Sequence, residues 1–400
     1  MTLLRAGLMS NAPKLDELLK EIVNRSEDIS DILFIPGKPP QAEVNGVLET
    51  PGIQWPAPPD DTAVIEQFAR EIIGDSPKLQ QDMVEHGACD CSYSLRDFCR
   101  FRVNVYRERG FYAIVLRLLK PMVPTIEGMG FPPVFHEVIK ERNGITFITG
   151  ASATGKTTTL AALLNEINRT RKVHIITLED PVEFLYSHAQ ATISQRELGR
   201  DFFTFAEGMR SALRQAPKVV LVGEIRDRET MEIALNASET GLMVYSTLHT
   251  IGAGQTINRI LGMFQKDEER QIRERLAGSL RYVIGQRLVP LKRRGRILIT
   301  EVMGHNLRTQ EAIALGENDI RRLSEMIEGG KHAGWHTFEQ SLLQAYESDL
   351  ITEETAMVYA TNRPAMRRLL DMSTTRPRQF SPQNQGRTGS APHPLPGLSV

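Results

Sequence analysis

The stretch that most constrains the fold of this chain is "TGASATGKTTTLAALLNEI", beginning at Thr149. Gly150, Gly155, Lys156 and Thr157 satisfy the pattern G-x-x-x-x-G-K-[ST]. The β run "ITFIT" precedes the loop, and Leu160, Leu163, Leu164 and Ile167 follow it along one helical face. Strand, loop and helix in this order gather backbone N–H groups at a helix amino terminus, where the dipole favours an anion. The phosphate loop is therefore expected to consist of Gly150, Ala151, Ser152, Ala153, Thr154, Gly155, Lys156, Thr157 and Thr158. Lys156 is expected to reach the β- and γ-phosphates, and the Thr157 hydroxyl to hold Mg²⁺. The ligand predicted is a nucleoside triphosphate. An Asn-Lys-x-Asp base-reading motif is missing, which favours ATP, while nucleotide kinases stay open on the loop alone.

A triphosphatase also needs acidic groups at strand ends, where open α/β sheets bind ligands. "VVLVGEIRD" ends a β run at Gly223 and Glu224; "HIITLEDPVEF" ends another at Glu179, with Glu183 shortly after. Glu224 is expected to orient or activate water, and Gly223 to let the backbone approach closely. "ETGLMVYSTLHT" adds His249, either a satisfied structural histidine or a γ-phosphate sensor.

At 400 residues the chain suits two domains. Residues 10–120 mix a helical start at Leu15, Leu18, Leu19 and Ile22 with strand-like "AEVNGVLE" and a hairpin pattern in "RFRVNVYRERGFYAIVLRLL", turning at "RERG". They read as a small α+β domain. Residues 121–133 concentrate Pro and Gly and read as a linker. From Gly144, β runs apolar on both faces alternate with helices, which predicts a doubly wound α/β domain around a parallel sheet, within residues 134–372. After about Val289 the pattern turns mostly helical. Residues 373–400, rich in Pro, Ser, Gln and Gly, read as a disordered tail.

A net charge of -1 gives no global electrostatic case for nucleic acid or an anionic membrane. Neither a run of about 18 apolar residues nor a signal-peptide core is found, so a cytoplasmic location is expected. Cys89, Cys91 and Cys99 lack the spacing of a four-ligand zinc set and read as thiols on strands in a reducing compartment.

Together these stretches resemble the PilT-like ATPases of type IV pili, within the wider family of secretion ATPases, from about Asp31 to Asn362. "GASATGKTT" looks like that family's Walker A loop, "IITLEDPVEF" its Asp box, "VVLVGEIRD" its Walker B and "ETGLMVYSTLHT" its His box. "GWHTFEQSLL" matches in order and spacing, and "GKPPQAEVNGVL" is similar to the family's PAS-like amino-terminal domain. The resemblance implies a RecA-like ATPase domain and a homohexameric ring with ATP held between the two domains. It also implies arginines reaching the phosphates from the amino-terminal domain; the corresponding positions here are Arg102, Arg109 and Arg117. It further implies docking on an inner-membrane platform protein of a pilus or secretion machine, beside a paralogous assembly ATPase.

Some positions depart from the family. Ala151 and Ala153 stand where relatives often have Pro and Gly, at free positions of the loop motif. "RTQEAIALGENDI" replaces the Ala-Ile-Arg-Asn-Leu-Ile motif associated with retraction, which leaves hydrolysis intact and opens the direction of work. The expectation is a pilus retraction ATPase. The alternatives are an ATPase of a related secretion or conjugation system, a non-hydrolysing regulatory ring subunit, and a nucleic-acid translocase.

Overall fold

The computed structural model describes residues 14–375 apart from 27–28, 54, 56–61, 96–97, 120–122, 294 and 317–319. The amino-terminal part opens with the helix Leu15–Val23, which buries Leu15, Leu18, Leu19 and Ile22 on one face. Six strands follow: β1 (Ile29–Phe34), β2 (Gln41–Val44), β3 (Val47–Glu49), β4 (Ala88–Leu95), β5 (Cys99–Glu108) and β6 (Phe111–Leu119). They form one antiparallel sheet in the order β3-β2-β1-β6-β5-β4. On β5, Phe101, Val103 and Val105 are fully buried. The period of two therefore turns Arg100 and Arg102 to the other face. Arg109 and Gly110, both at positive φ, make the two-residue turn between β5 and β6. This is the turn expected at "RERG". Cys89 and Cys91 lie on β4 and Cys99 on β5, all as free thiols.

The second part carries seven strands: β7 (Gly144–Thr149), β8 (His174–Glu179), β9 (Thr192–Glu197), β10 (Val219–Val222), β11 (Met243–Leu248), β12 (Leu280–Pro290) and β13 (Arg296–Met303). Their order is β13-β12-β7-β11-β10-β8-β9, parallel throughout except for β13. Alternate residues feed two cores. Val219, Leu221, Met243 and Tyr245 pack under the helix Lys156–Thr170. Val220, Val222, Val244 and Leu248 pack on the opposite side with the helices Arg228–Glu239 and Ala253–Leu261. Covering both faces is what made these strands read as continuous apolar runs.

Three strands, β9, β12 and β13, go beyond the β runs read from the sequence. The segment after Val289 is not immediately helical: β12 continues to Pro290 and β13 pairs with it from Val283 opposite Met303 to Pro290 opposite Arg296. The run "RILITEVM" is short, and periodicity alone does not separate such a run from a buried helix. The edge strand β9 was also absent from the reading. Its "TISQRE" is polar, and it is held as a strand by backbone pairing with β8.

Among the described residues five α-helices follow, Leu307–Leu315, Ile320–Gly329, Phe338–Glu347, Glu353–Tyr359 and Arg363–Thr375. Phe338, Leu342, Ile351, Met366 and Leu370 form the core of the last three with Val289 and Ile299 of the last two strands, whereas Ile313, Leu323 and Ile327 of the first two pack into the core of the large sheet. Of the expected linker, residues 121 and 122 lie outside the described residues; the remainder runs without regular structure to the short helix Val134–Val138. Residues 373–375 complete the last helix, and 376–400 lie outside the described residues.

Candidate functional site

The carboxyl ends of β7, β8, β10 and β11 open into a cavity of about 290 Å³. The phosphate loop forms one wall. Gly150 has φ +148, and a Cβ there would lie 2.6 Å from the Gln286 carbonyl oxygen and 2.7 Å from Thr154 Oγ1. Only glycine fits. Thr154 Oγ1 donates to the Ala151 carbonyl at 2.9 Å, tightening the loop from within. Gly155, left-handed at φ 86, starts the helix with no side-chain cap. The first N–H groups of that helix are thus left for a ligand. Ala153 also adopts a left-handed φ of 60, so this alanine carries strain on the order of 1 kcal/mol.

Lys156 is buried, and its Nζ donates to the carbonyls of Gly150 at 3.0 Å and Ala151 at 2.8 Å. Burial lowers its pKa, and Glu224 opposes that shift. Ser152, Ala153 and Thr157 line the cavity beside it, while Ala151 and Thr158 belong to the loop frame.

Glu224 follows β10 in a turn fixed by backbone contacts: Gly223 N donates to Leu178 O at 2.8 Å and Thr247 Oγ1 to Gly223 O at 2.7 Å. A Cβ on Gly223 would stand 3.2 Å from Leu178 O, so the close approach expected of this glycine is present. The Glu224 carboxylate pairs with Arg226 and lies 3.5 Å from His249 Nε2. Glu179 is buried at the end of β8 and accepts from Thr177 Oγ1 at 2.6 Å and Gln195 Nε2 at 3.4 Å. Burial pushes its pKa up to about 7, against those two hydrogen bonds. Glu183 is raised by burial as well, opposed first by Arg102 and then by a hydrogen bond from Thr157.

The three arginines separate within one chain. Arg102 reaches the cavity from β5, facing Glu183 and Asp180. Arg117, its cross-strand neighbour on β6, instead donates from Nε to Asp31 Oδ1 at 2.9 Å. Arg109 is exposed at the hairpin turn, away from the cavity lining. Asp180 and Arg226 also line the cavity and were not selected from the sequence, although each stands beside a selected glutamate.

Oxygen donors suited to magnesium are present in the Thr157 hydroxyl and the carboxylates around it. Among the described residues, no group of three or more His, Cys, Asp and Glu side chains could hold a metal ion. A magnesium ion would therefore rest on Thr157 and on the phosphates of the nucleotide, which is how P-loop enzymes use it. No helix among the described residues is long and apolar enough to cross a membrane.

Residues 95–357 match the family model of type II/IV secretion system proteins. Among individual relatives, the uncharacterized protein YggR of Escherichia coli K12 is 38% identical over 325 residues, covering 81% of this chain and 96% of its own. The type IV pilus retractation ATPase PilT of Pseudomonas aeruginosa is 34% identical over 327 residues, 82% of this chain and 93% of its own. The crystal structure of the pilus retraction motor PilT with bound ADP superposes with a TM-score of 0.79 at 33% identity, covering 89% of this chain and 99% of that one. The chain belongs to the type II/IV secretion system protein family and carries the ATPase fold of its PilT members.

Proposed function

We propose that this protein is a hexameric ATPase that hydrolyses ATP to drive retraction of a type IV pilus. One observation carries the reading: Arg102, from the amino-terminal sheet, lines the same cavity as Lys156, Thr157, Glu183, Glu224 and His249. A nucleotide held there touches both domains, so its binding and loss change the angle between them. Lys156 neutralises the β- and γ-phosphates, and the helix amino terminus orients them. Glu224, held by Arg226 and facing His249, orients the attacking water; the Thr157 hydroxyl, hydrogen-bonded to Glu183, would hold a magnesium ion together with the phosphates, and that ion would supply charge neutralisation there. Arg109 is exposed on its turn and so is open to a neighbouring subunit of such a ring.

The work surface is expected on the carboxyl-terminal helices, docked peripherally on the inner-membrane platform of the machine. Gln310 to Leu315, which stand in place of the retraction motif, fall within the helix Leu307–Leu315, whose Leu307 and Leu315 are exposed.

ATP turnover per subunit, measured against protein concentration for the native protein and for Glu224→Gln, tests the chemistry. Turnover that climbs with concentration and vanishes in the variant supports a motor completed between subunits. Nucleotide binding without turnover in the native protein would favour a regulatory subunit. Deleting the gene and counting surface pili tests the direction: excess pili support retraction, and absent pili support assembly.

A further inference from the structure

Glu197, the last residue of β9, lies opposite Glu179 in the sheet register and outside the nucleotide cavity lining. Its side chain is almost wholly buried, yet it does not face its own domain alone. One carboxylate oxygen accepts from Ser92 Oγ on β4 at 2.5 Å; the other is paired with Arg100 on β5 and also accepts the Val182 amide at 3.1 Å. Arg100 donates from the same terminal nitrogen to Ser92 Oγ at 2.5 Å. Val182 lies in the Asp-box segment, next but one to Asp180 and next to Glu183. Glu197 thus ties the amino-terminal sheet to the segment that carries three cavity carboxylates, Glu179, Asp180 and Glu183. The turn after it makes a second contact, Ser76 Oγ donating to Gly199 O at 3.0 Å.

The spacing on β5 makes this contact more than packing. Arg100 and Arg102 are two residues apart and share a face of the sheet, opposite buried Phe101 and Val103. Where Arg100 is anchored, Arg102 is delivered to the cavity.

We propose that the pair formed by Arg100 and Glu197 is an interdomain joint that seats Arg102 in the nucleotide cavity, making both residues positioning residues for nucleotide binding. The proposal rests on the ATPase reading above. Because Arg102 has its effect only while the joint holds, removing the joint and removing Arg102 are losses of one function, not two.

The test is the affinity of the full-length protein for a fluorescent non-hydrolysable ATP analogue with magnesium, in Arg100→Met, Glu197→Gln, Arg102→Gln and the double variant Arg100→Met/Arg102→Gln. Glu197→Gln keeps an acceptor for the Val182 amide and loses the charge facing Arg100. Each single variant is expected to bind about tenfold more weakly, and the double variant within about threefold of the weaker single one, because coupled residues are non-additive. Arg100→Lys, which keeps a charged donor, restores binding to within about threefold of native and carries the test if the methionine variant does not fold. Native affinity in Arg100→Met, or losses that multiply in the double variant, would overturn the proposal. If the native protein binds no nucleotide, the ATPase reading itself has failed, an outcome distinct from native binding that the variants leave unchanged.

Discussion

His249 Nε2 stands 3.5 Å from one oxygen of the Glu224 carboxylate, while the other oxygen is paired with Arg226. The carboxylate is therefore gripped from two strand ends, β10 through its own turn and β11 through the histidine. Removing either neighbour leaves Glu224 present and its aim relaxed. His249→Ala is expected to lower kcat by about 10²-fold, the scale of a lost proton-handling or orienting group, with nucleotide affinity within about threefold of native. Steady-state turnover beside equilibrium binding checks this; full turnover in the variant would remove His249 from the mechanism.

The three arginines on the β5 and β6 hairpin should behave differently. Arg102→Ala should cost about 10² in turnover or more, since a cationic group at the phosphates is worth at least that. The Arg117 side chain is 67% exposed and paired with Asp31, so Arg117→Ala should cost no more than about 1 kcal/mol of stability. Its turnover should stay within about threefold of native, because it sits in an ion pair outside the cavity lining. A turnover loss in Arg117→Ala as large as that in Arg102→Ala would mean that a different domain arrangement does the chemistry.

Glu179 predicts a pH dependence of stability. Burial raises its folded pKa from an ordinary 4.5 to about 7. The native state therefore holds this proton more tightly than the unfolded chain. Its contribution is fully present below about pH 4.5 and is lost as pH rises towards 7, on the order of 3 kcal/mol at neutral pH and above. Glu179→Gln, uncharged at every pH, should raise the melting temperature relative to native by several degrees at pH 8 and by little at pH 5. Equal shifts at both values would contradict the assignment.

Trp335 is buried against Gly304 and Gly330, where an added Cβ would fall within the ring's own van der Waals surface. Gly330→Ala should destabilise the carboxyl-terminal part by about 1–3 kcal/mol through overpacking. A Cβ on neighbouring Gly329 meets nothing within 4 Å, and Gly329→Ala at the helix end should be neutral or stabilising by up to about 1 kcal/mol. Opposite signs at adjacent glycines, read by chemical denaturation with tryptophan fluorescence, are the expected result.

Much of the site could be read from local sequence because its chemistry is local. Gly150, Lys156 and Thr157 belong to one turn, and a strand, loop and helix in succession admit few arrangements. Glu224 and His249 were legible because each ends an apolar run, and strand ends converge on the crevice of a parallel sheet. β13 was not legible, since a short apolar run becomes a strand only when β12 presents free backbone groups to it. The pairing of Arg117 with Asp31 was equally hidden, because 86 residues separate the partners. What the sequence determined by itself is the phosphate loop, the alternation of strands and helices, and the kinds of group the chemistry requires. Tertiary structure alone decided which arginine enters the cavity, which carboxylate is buried to a pKa near 7, and where Glu197 grips the other domain. Those outcomes depend on desolvation and on contacts between distant segments, and neither is a property of a residue's neighbours along the chain.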